Sequence, residues 1–246
     1  MAQAPIRDVA PVVQKLRLRY AKRGRLRFSS HRDFQRAFER ALRRADVPIA
    51  FSAGFSPHPK VSYANAAPTG VASEAEYVEI GLMAPRDPEE IRAALDAALP
   101  PGLDVEEVVE ARTPDLANRL DASIWQIELP GVDGTQAQEA VDRHLAAEVV
   151  EVERMAKNGM RRFDARGPLL QLTVVPQTPS SGDCAILRAV VRHVTPSVRP
   201  DDVLAALRQV ADLVPPVPPR VTRLAQGPLD AQGAGVGDPF ADDRCA

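Results

Sequence analysis

The sequence predicts an α+β protein made of two tandem ferredoxin-like units, each with the element order β-α-β-β-α-β. Three observations predict this fold class. Short segments alternate apolar and polar residues, as strands with one buried face do, and longer segments repeat apolar residues every three or four positions, as amphipathic helices do. The same order of segments then occurs twice along the 246 residues. We find no residue-level similarity between the halves, and the second is the more elaborated one.

The chain divides into five predicted segments. Residues 1–12 form a disordered lead with two prolines and no periodicity, and residues 113–121 form a connector between the two units. The first ferredoxin-like domain spans residues 13–112 and the second spans residues 122–225. Residues 226–246 are rich in glycine and acidic side chains, which predicts a disordered tail.

The first helix has the clearest local signals. Ser30 opens it, because Ser30 and Asp33 have the S-x-x-D spacing of a capping box, in which a hydroxyl and a carboxylate satisfy free backbone N–H groups. The helix ends before Pro48, because proline disfavours the helical conformation of the residue that precedes it. Apolar residues at helical spacing predict its buried face: Phe34, Ala37, Phe38, Ala41, Leu42 and Ala45.

The other elements follow from the same two periodicities. In the first unit we predict strands at 13–20, 48–52, 60–64, 76–83 and 103–110, extended chain at 25–28, and a second helix at 87–98 with Pro88 at its first position. In the second unit we predict strands at 124–129, 149–154, 169–175, 184–191 and 220–224, helices at 134–147 and 199–210, and a basic connecting segment at 157–166.

The charge is distributed unevenly. Residues 1–70 carry 14 Lys and Arg against four Asp and Glu, a net charge of +10 that leaves −12 on the remainder. This asymmetry indicates a surface for nucleic acid or another polyanion on the first half, or else a solvated basic face balanced by an acidic neighbouring domain. No apolar run approaches the roughly 18 residues that span a bilayer. The N-terminus lacks the apolar core of a signal peptide, so we expect a cytoplasmic protein and no membrane partner.

Arginines on the polar side of the first helix predict contacts with phosphate groups, because the planar guanidinium matches phosphate oxygens. Aromatic residues make up only 4% of the chain, which favours recognition of the backbone or shape of a structured RNA over sequence reading of single strands. The predicted RNA-binding residues are Arg32, Arg36, Arg40, Arg43, Arg44, Lys60, Lys157, Arg161, Arg162 and Arg166. For each of them the alternative is a solvated face.

A loop rich in glycine and proline follows the first helix and contains Gly54, Phe55, Pro57, His58, Pro59 and Lys60. His31 and His58 are the candidate catalytic residues. A histidine can take the 2′-hydroxyl proton of RNA while Lys60 or Arg32 stabilises the developing charge, without a metal. The structural alternatives are that His31 hydrogen-bonds at the helix start and that His58 shapes its loop. We expect no metal site, because no acidic or cysteine partner lies at ligand spacing to these histidines.

The segment from Arg25 to Ile80 resembles a bacterial family of unknown function whose members occur alone or as the C-terminal domain of larger radical-SAM proteins. The matching residues are Phe28 to His31, the Arg36–Arg44 helix, the Gly54–Lys60 loop, Gly70 and Ser73 to Tyr77, with an Asp164-Ala165-Arg166 element further on. The resemblance covers residues 13–175. It implies association with a separately encoded radical-SAM enzyme, which would hold the iron–sulfur cluster and S-adenosylmethionine.

The chain itself has no catalytic motif of a known type and no CxxxCxxC for an iron–sulfur cluster, so we expect no cofactor of its own. The favoured function is therefore a non-catalytic module that binds RNA or presents a substrate to the radical-SAM partner. The first alternative is a metal-independent RNA endonuclease that uses His31 or His58, since the double ferredoxin-like plan resembles the RAMP-type enzymes that cut CRISPR repeat RNA. The second alternative is a protein-interaction scaffold whose basic face docks an acidic partner.

Overall fold

A computed structural model describes residues 10–53, 55–156, 159–176 and 184–245. It is a mixed α and β structure whose strands pair in antiparallel fashion. The chain forms two compact units. Unit 1 contains Met1–Asn118 together with Phe240–Ala246, and unit 2 contains Arg119–Pro239.

Unit 1 follows the predicted order of elements. It contains β1 (Gln14–Lys22), α1 (His31–Arg44), β2 (Val61–Ala64), β3 (Ala72–Leu82), α2 (Pro88–Ala98) and β4 (Leu103–Glu110). The strands lie in the order β4-β1-β3-β2. Two segments differ from the prediction: Gly24–Phe28 is a 3₁₀ helix instead of extended chain, and residues 48–52 form isolated bridges at Ile49 and Phe51 instead of a strand.

The two helices of unit 1 pack on one face of its sheet. Alternate residues of β1 and β3, such as Leu16, Leu18 and Ile80, meet Phe38 of α1 and Leu95 of α2 in one core. Because successive side chains of a strand point to opposite faces, the residues between them lie on the other face of the sheet. That second face therefore carries the basic residues of β1.

The capping box of α1 is confirmed. Ser30 Oγ accepts a hydrogen bond of 3.2 Å from the Asp33 backbone N–H, and the Asp33 carboxylate accepts one of 3.3 Å from the Ser30 N–H. The hydrogen bonds that the Asp33 carboxylate accepts, first from the Ser30 hydroxyl and then from the Ser30 N–H, lower the pKa of Asp33, and the nearby Arg36 and Arg32 lower it further. The local sequence is thus sufficient to fix where the helix begins.

Unit 2 contains β5 (Ala122–Pro130), α3 (Gly134–Ala146), β6 (Glu151–Ala156), β7 (Gly159–Asp164), β8 (Leu169–Val174), β9 (Cys184–Arg192), α4 (Pro200–Ala211) and β10 (Arg220–Gly227). Four of these strands lie in the order β10-β5-β9-β8, while β6 and β7 form a separate hairpin. Residues 159–164 pair with residues 151–156. Most of the predicted basic connecting segment is therefore a strand.

The prediction of a disordered tail over residues 226–246 is wrong for the part that the structure describes. Gln226 and Gly227 end β10, Leu229 pairs with Val236, and Ala241–Arg244 form a short helix, α5. Phe240 is fully buried and lies edge-on against Tyr77, with 5.2 Å between the ring centroids. Widely spaced apolar residues therefore anchor a segment whose composition is that of a disordered chain.

Some predictions fall outside the described residues. These are Gly54, Lys157 and the lead over residues 1–9. In the part of the chain that is described, no helix has the length and apolar character needed to cross a membrane.

Candidate nucleic-acid interface

The polar side of α1 presents a row of arginines. Arg32, Arg36, Arg40 and Arg44 follow one another at intervals of four residues, so they lie one above another along the helix, and Arg43 lies beside the last two. All five are exposed. Opposite them, Phe34, Phe38, Ala41 and Leu42 are buried against the sheet, which fixes the direction in which the arginines point.

These arginines differ from those of the sheet in how their charge is balanced. Arg17 lies 3.0 Å from Glu79 and Arg19 lies 3.6 Å from Glu107. Arg23, directly after β1, lies 2.8 Å from Asp104, so all three arginines have a carboxylate partner. On α1, Arg44 donates to the backbone carbonyl of Ala98. Within the described residues, no hydrogen bond or ion pair engages the side chains of Arg32, Arg36, Arg40 or Arg43.

Contacts between its two ends close the loop that follows α1. The Ser52 N–H donates to the His58 carbonyl at 2.8 Å, the His58 N–H donates to Ser52 Oγ at 3.0 Å, and Phe51 pairs with Pro59. The ends of the loop are therefore held together. Phe55 is 98% exposed and stands free at its outer part. An exposed phenyl ring of this kind offers a surface on which a nucleobase can stack.

The two candidate catalytic histidines lie in different surroundings. His31 is the first residue of α1, with Nε2 3.1 Å from Gln35 Nε2 and its ring edge-on to Tyr63 at 4.9 Å between centroids. His58 is exposed and lines, with Lys60, a cavity of about 360 Å³. No contact between the two histidines is found among the described residues, so they do not form an acid–base pair in this structure.

The basic residues predicted in unit 2 separate into two groups. Arg161 and Arg162 are exposed on β7, and Arg162 forms an ion pair with Glu151 at 2.9 Å. Arg166 instead donates to the carbonyl oxygens of Leu169 and Leu145, at 3.2 and 3.3 Å, and its Nε is buried. The guanidinium of Arg166 therefore links the last turn of α3 to the start of β8. The sequence instead predicts an RNA contact for this residue.

Sequence reasoning missed a buried network in unit 1. The side chain of Arg17 is only 1% exposed and donates to Asp243 at 2.6 Å and to the Thr113 carbonyl at 2.6 Å. Burial raises the pKa of Asp243, but its hydrogen bonds from Thr113 and Arg17 outweigh this and leave the pKa below its usual value. The alternation of β1 placed Arg17 on a solvated face, and no local signal shows that α5 covers it.

Unit 2 contains a serine–histidine pair that the sequence did not reveal. Ser123 Oγ lies 2.8 Å from His193 Nε2, and His193 Nδ1 lies 2.6 Å from the Leu120 carbonyl oxygen. Burial lowers the pKa of His193. Ser123 is fully buried, so its hydroxyl is closed to a substrate and the pair is a structural hydrogen bond. Within the described residues, no cluster of three or more His, Cys, Asp or Glu side chains is placed to hold a metal ion.

Comparison with protein families adds one result. A family described as "Uncharacterized protein conserved in bacteria (DUF2344)" matches residues 15–200. The chain belongs to this family. The match runs from β1 to the first residue of α4, so the matched part of this chain contains the arginine row, the loop after α1 and most of unit 2. A comparison with curated proteins found no match.

Proposed function

We propose that the chain is a non-catalytic module that binds structured RNA through the arginine row of α1 and presents it to a separately encoded radical-SAM enzyme. The observation that carries the proposal is that Arg32, Arg36, Arg40 and Arg43 are exposed and have no carboxylate partner among the described residues. None of these four guanidinium groups forms an ion pair within the described residues, whereas Arg17 and Arg19 of β1 each pair with a carboxylate. A ligand rich in phosphate would supply the missing counter-charge.

The chemistry of the row favours the backbone of RNA over its bases. Each guanidinium presents a planar set of donors that matches two phosphate oxygens. Several aromatic side chains of unit 1, such as Phe34 and Phe38, belong to the core, while Phe28, Phe51 and Phe55 are exposed rings. The exposed rings can therefore stack only a few bases, and the surface supports recognition of the shape and charge of the RNA backbone.

We infer that each unit has a ferredoxin-like plan. The strand order β4-β1-β3-β2 of unit 1 has its counterpart in β10-β5-β9-β8 of unit 2, and the β6–β7 hairpin is the elaboration of the second unit. This inference supports RNA binding only by analogy, because a fold of this kind hosts many functions.

The role of the radical-SAM partner rests on the resemblance of the loop and helix sequence to domains of such proteins. The cofactors would belong to that partner, since the chain has two cysteines, which are 61 positions apart at Cys184 and Cys245. Co-purification of the two proteins from cells, with and without ribonuclease treatment, tests the association. A complex that survives ribonuclease is held by protein contacts and would favour the scaffold function.

The central experiment is filter binding of a structured RNA at several salt concentrations. We expect binding that weakens steeply with salt, and a double variant Arg36→Gln/Arg40→Gln that binds more weakly with a shallower salt dependence. Arg92→Gln on α2 is the matched control, because Arg92 is also a helical arginine with a solvent-accessible side chain but pairs with Glu89 at 2.6 Å. Equal RNA binding by the wild type and the double variant would refute the proposal.

One observation favours the ribonuclease as a second candidate. His58 and Lys60 line the same cavity, which places a proton acceptor beside a cation that can stabilise a charged phosphorane. The test is cleavage of RNA in the presence of EDTA. Activity that His58→Ala abolishes and His31→Ala leaves intact would support this candidate, whereas uncut RNA would exclude it.

A further inference from the structure

The 3₁₀ helix that precedes α1 ends in an exposed phenyl ring. This helix spans Gly24–Phe28, and the ring of Phe28 is 60% exposed. Leu26, two residues earlier, packs against the core of unit 1, and the Gly70 N–H donates to the Arg27 carbonyl at 2.8 Å. The protein therefore presents this ring at its surface on a backbone that is held in place.

One face of the ring is covered by a guanidinium group. The guanidinium carbon of Arg27 lies 4.7 Å from the centre of the Phe28 ring. A cation in this position is attracted by the π electrons of the ring and restrains it. The Nε atom of Arg27 is itself buried, which restricts the movement of the guanidinium. The side chain of Phe28 is thus ordered before a ligand arrives, and the opposite face of its ring is left for that ligand.

The Phe28 ring lies at the N-terminal end of the arginine row. Four residues of chain span at most about 14 Å, so the Cα atom of Phe28 is within this distance of the Cα atom of Arg32. Successive arginines of the row are separated by about 6 Å along the helix, which gives about 18 Å from Arg32 to Arg44. A single strand whose phosphates follow the row can therefore bring its next base to the ring.

The charges near the ring suit a phosphate backbone. Arg25, in the same 3₁₀ helix, is exposed, and its side chain forms no ion pair or hydrogen bond within the described residues. Asp33 is the nearest acidic residue in the sequence, and its carboxylate accepts hydrogen bonds from the hydroxyl and the N–H of Ser30, at 2.7 and 3.3 Å. The surface around the ring is therefore basic, and its one acidic neighbour is engaged in the helix cap.

We propose that Phe28 stacks one unpaired base of the RNA, so that the ligand of the arginine row is a stem with an unpaired nucleotide beside it. The inference rests on the proposed function, because it adds a contact to the same RNA. Every base has a π face, so we expect stacking on Phe28 to tolerate any sequence. Unpaired nucleotides at the end of a stem are accessible to an aromatic side chain in a way that paired bases are not.

The test measures the affinity of RNA hairpins that share one stem and end either blunt or with unpaired nucleotides on the 5′ or the 3′ side. We expect one extended hairpin to bind about tenfold more tightly than the blunt one. Phe28→Ala and Phe28→Leu should remove this advantage and leave binding of the blunt hairpin unchanged, whereas Phe28→Trp, which keeps an aromatic face, should preserve it. Val13→Ala, which also truncates an exposed apolar side chain of unit 1, is the control and should have no effect.

A 2-aminopurine base at the first unpaired position gives a readout that a purely structural role of Phe28 would not change. Its fluorescence should fall when the RNA binds the wild type, because stacking quenches it, and should fall less with Phe28→Leu. Equal binding of blunt and extended hairpins, or an advantage that Phe55→Ala removes and Phe28→Ala does not, overturns this inference and leaves the arginine row in place. RNA binding that Arg36→Gln/Arg40→Gln does not weaken overturns the proposed function and the inference with it.

Discussion

Arg40→Gln should make the protein more stable while it weakens RNA binding. On α1, Arg40 has Arg36 and Arg44 four residues away and Arg43 three residues away, and no acidic residue occupies any of its neighbouring positions at these spacings. Each like-charge pair of this kind destabilises a helix by about 0.2–0.5 kcal/mol. Removing three such pairs should raise the free energy of unfolding by about 0.6–1.5 kcal/mol at low salt.

The choice of glutamine isolates the charge, because glutamine and arginine have nearly the same helix propensity. We expect the midpoint of thermal unfolding to rise by about 1–6 °C, because 1 kcal/mol corresponds to about 2–4 °C for a protein of this size. The rise should shrink at about 1 M salt, where the Debye length falls to about 3 Å. In RNA binding, the slope of log K against log salt should become shallower by about 0.7–0.9, the value for one lost phosphate contact.

Arg92→Gln gives the contrasting result. Arg92 is attracted to Glu89 on α2, so its replacement should leave the midpoint unchanged or lower it, with RNA binding intact. An Arg40→Gln protein that is no more stable than the wild type at low salt would show that the row carries no unbalanced repulsion. Unchanged RNA affinity would show that the arginine row is not part of the RNA-binding surface.

Three further predictions concern polar groups that are buried, Asp243 and His144, or half-buried, Asp164. Asp243→Ala should lower the free energy of unfolding by about 3 kcal/mol in a urea titration, because it leaves Arg17 buried with one partner fewer. The control is Arg244→Gln at the exposed pair with Glu107, which should lower the free energy of unfolding by less than about 1 kcal/mol. Burial, and then the charge of Arg166, lower the pKa of His144, while Asp164 raises it. Because the unfolded chain then takes up a proton at His144 more readily than the folded chain does, the free energy of unfolding should fall as the pH drops below about 6.5. His144→Leu should flatten that decline without abolishing it, since His193 has a lowered pKa as well, and an unchanged pH profile would contradict the burial of His144. Asp164→Ala should destabilise unit 2 by about 1.5–3 kcal/mol, as seen by amide hydrogen exchange, because Asp164 accepts bonds of 2.8–3.1 Å from the N–H groups of Val150, Arg166 and Gly167. Protection at Val150 equal to that of the wild type would contradict this role.

The sequence predicts best what local chemistry decides. The start of α1 follows from a hydroxyl and a carboxylate three residues apart, and β4 has the bounds that its alternation predicts, Leu103–Glu110. The exposed arginines of α1 follow in the same way, because helical periodicity alone puts them opposite Phe34 and Phe38. In each case the deciding contacts lie within one turn or one strand.

What the sequence misses depends on residues far apart in the chain. Arg17 and Arg19 are equivalent in the alternation of β1, yet Arg17 is buried because Asp243, 226 positions away, lies against it. The cavity lined by His58 and Lys60 requires β1 to pair with β3, because Lys15 and Gly81 form part of its wall, and no single segment reveals this. Arg166 has the appearance of a surface cation, and its capture by the carbonyl oxygen of Leu145 depends on where α3 ends.

The return of Phe240 and Asp243 to unit 1 affects the order in which the protein can form during synthesis. The chain leaves unit 1 after Asn118, completes unit 2, and only then delivers the phenyl ring and the carboxylate that bury Tyr77 and Arg17. Since synthesis proceeds from the N-terminus, the first half emerges with an arginine whose full set of partners does not yet exist. Unit 2, which is continuous in sequence, is able to finish first, and the unit that begins the chain is the last to be completed.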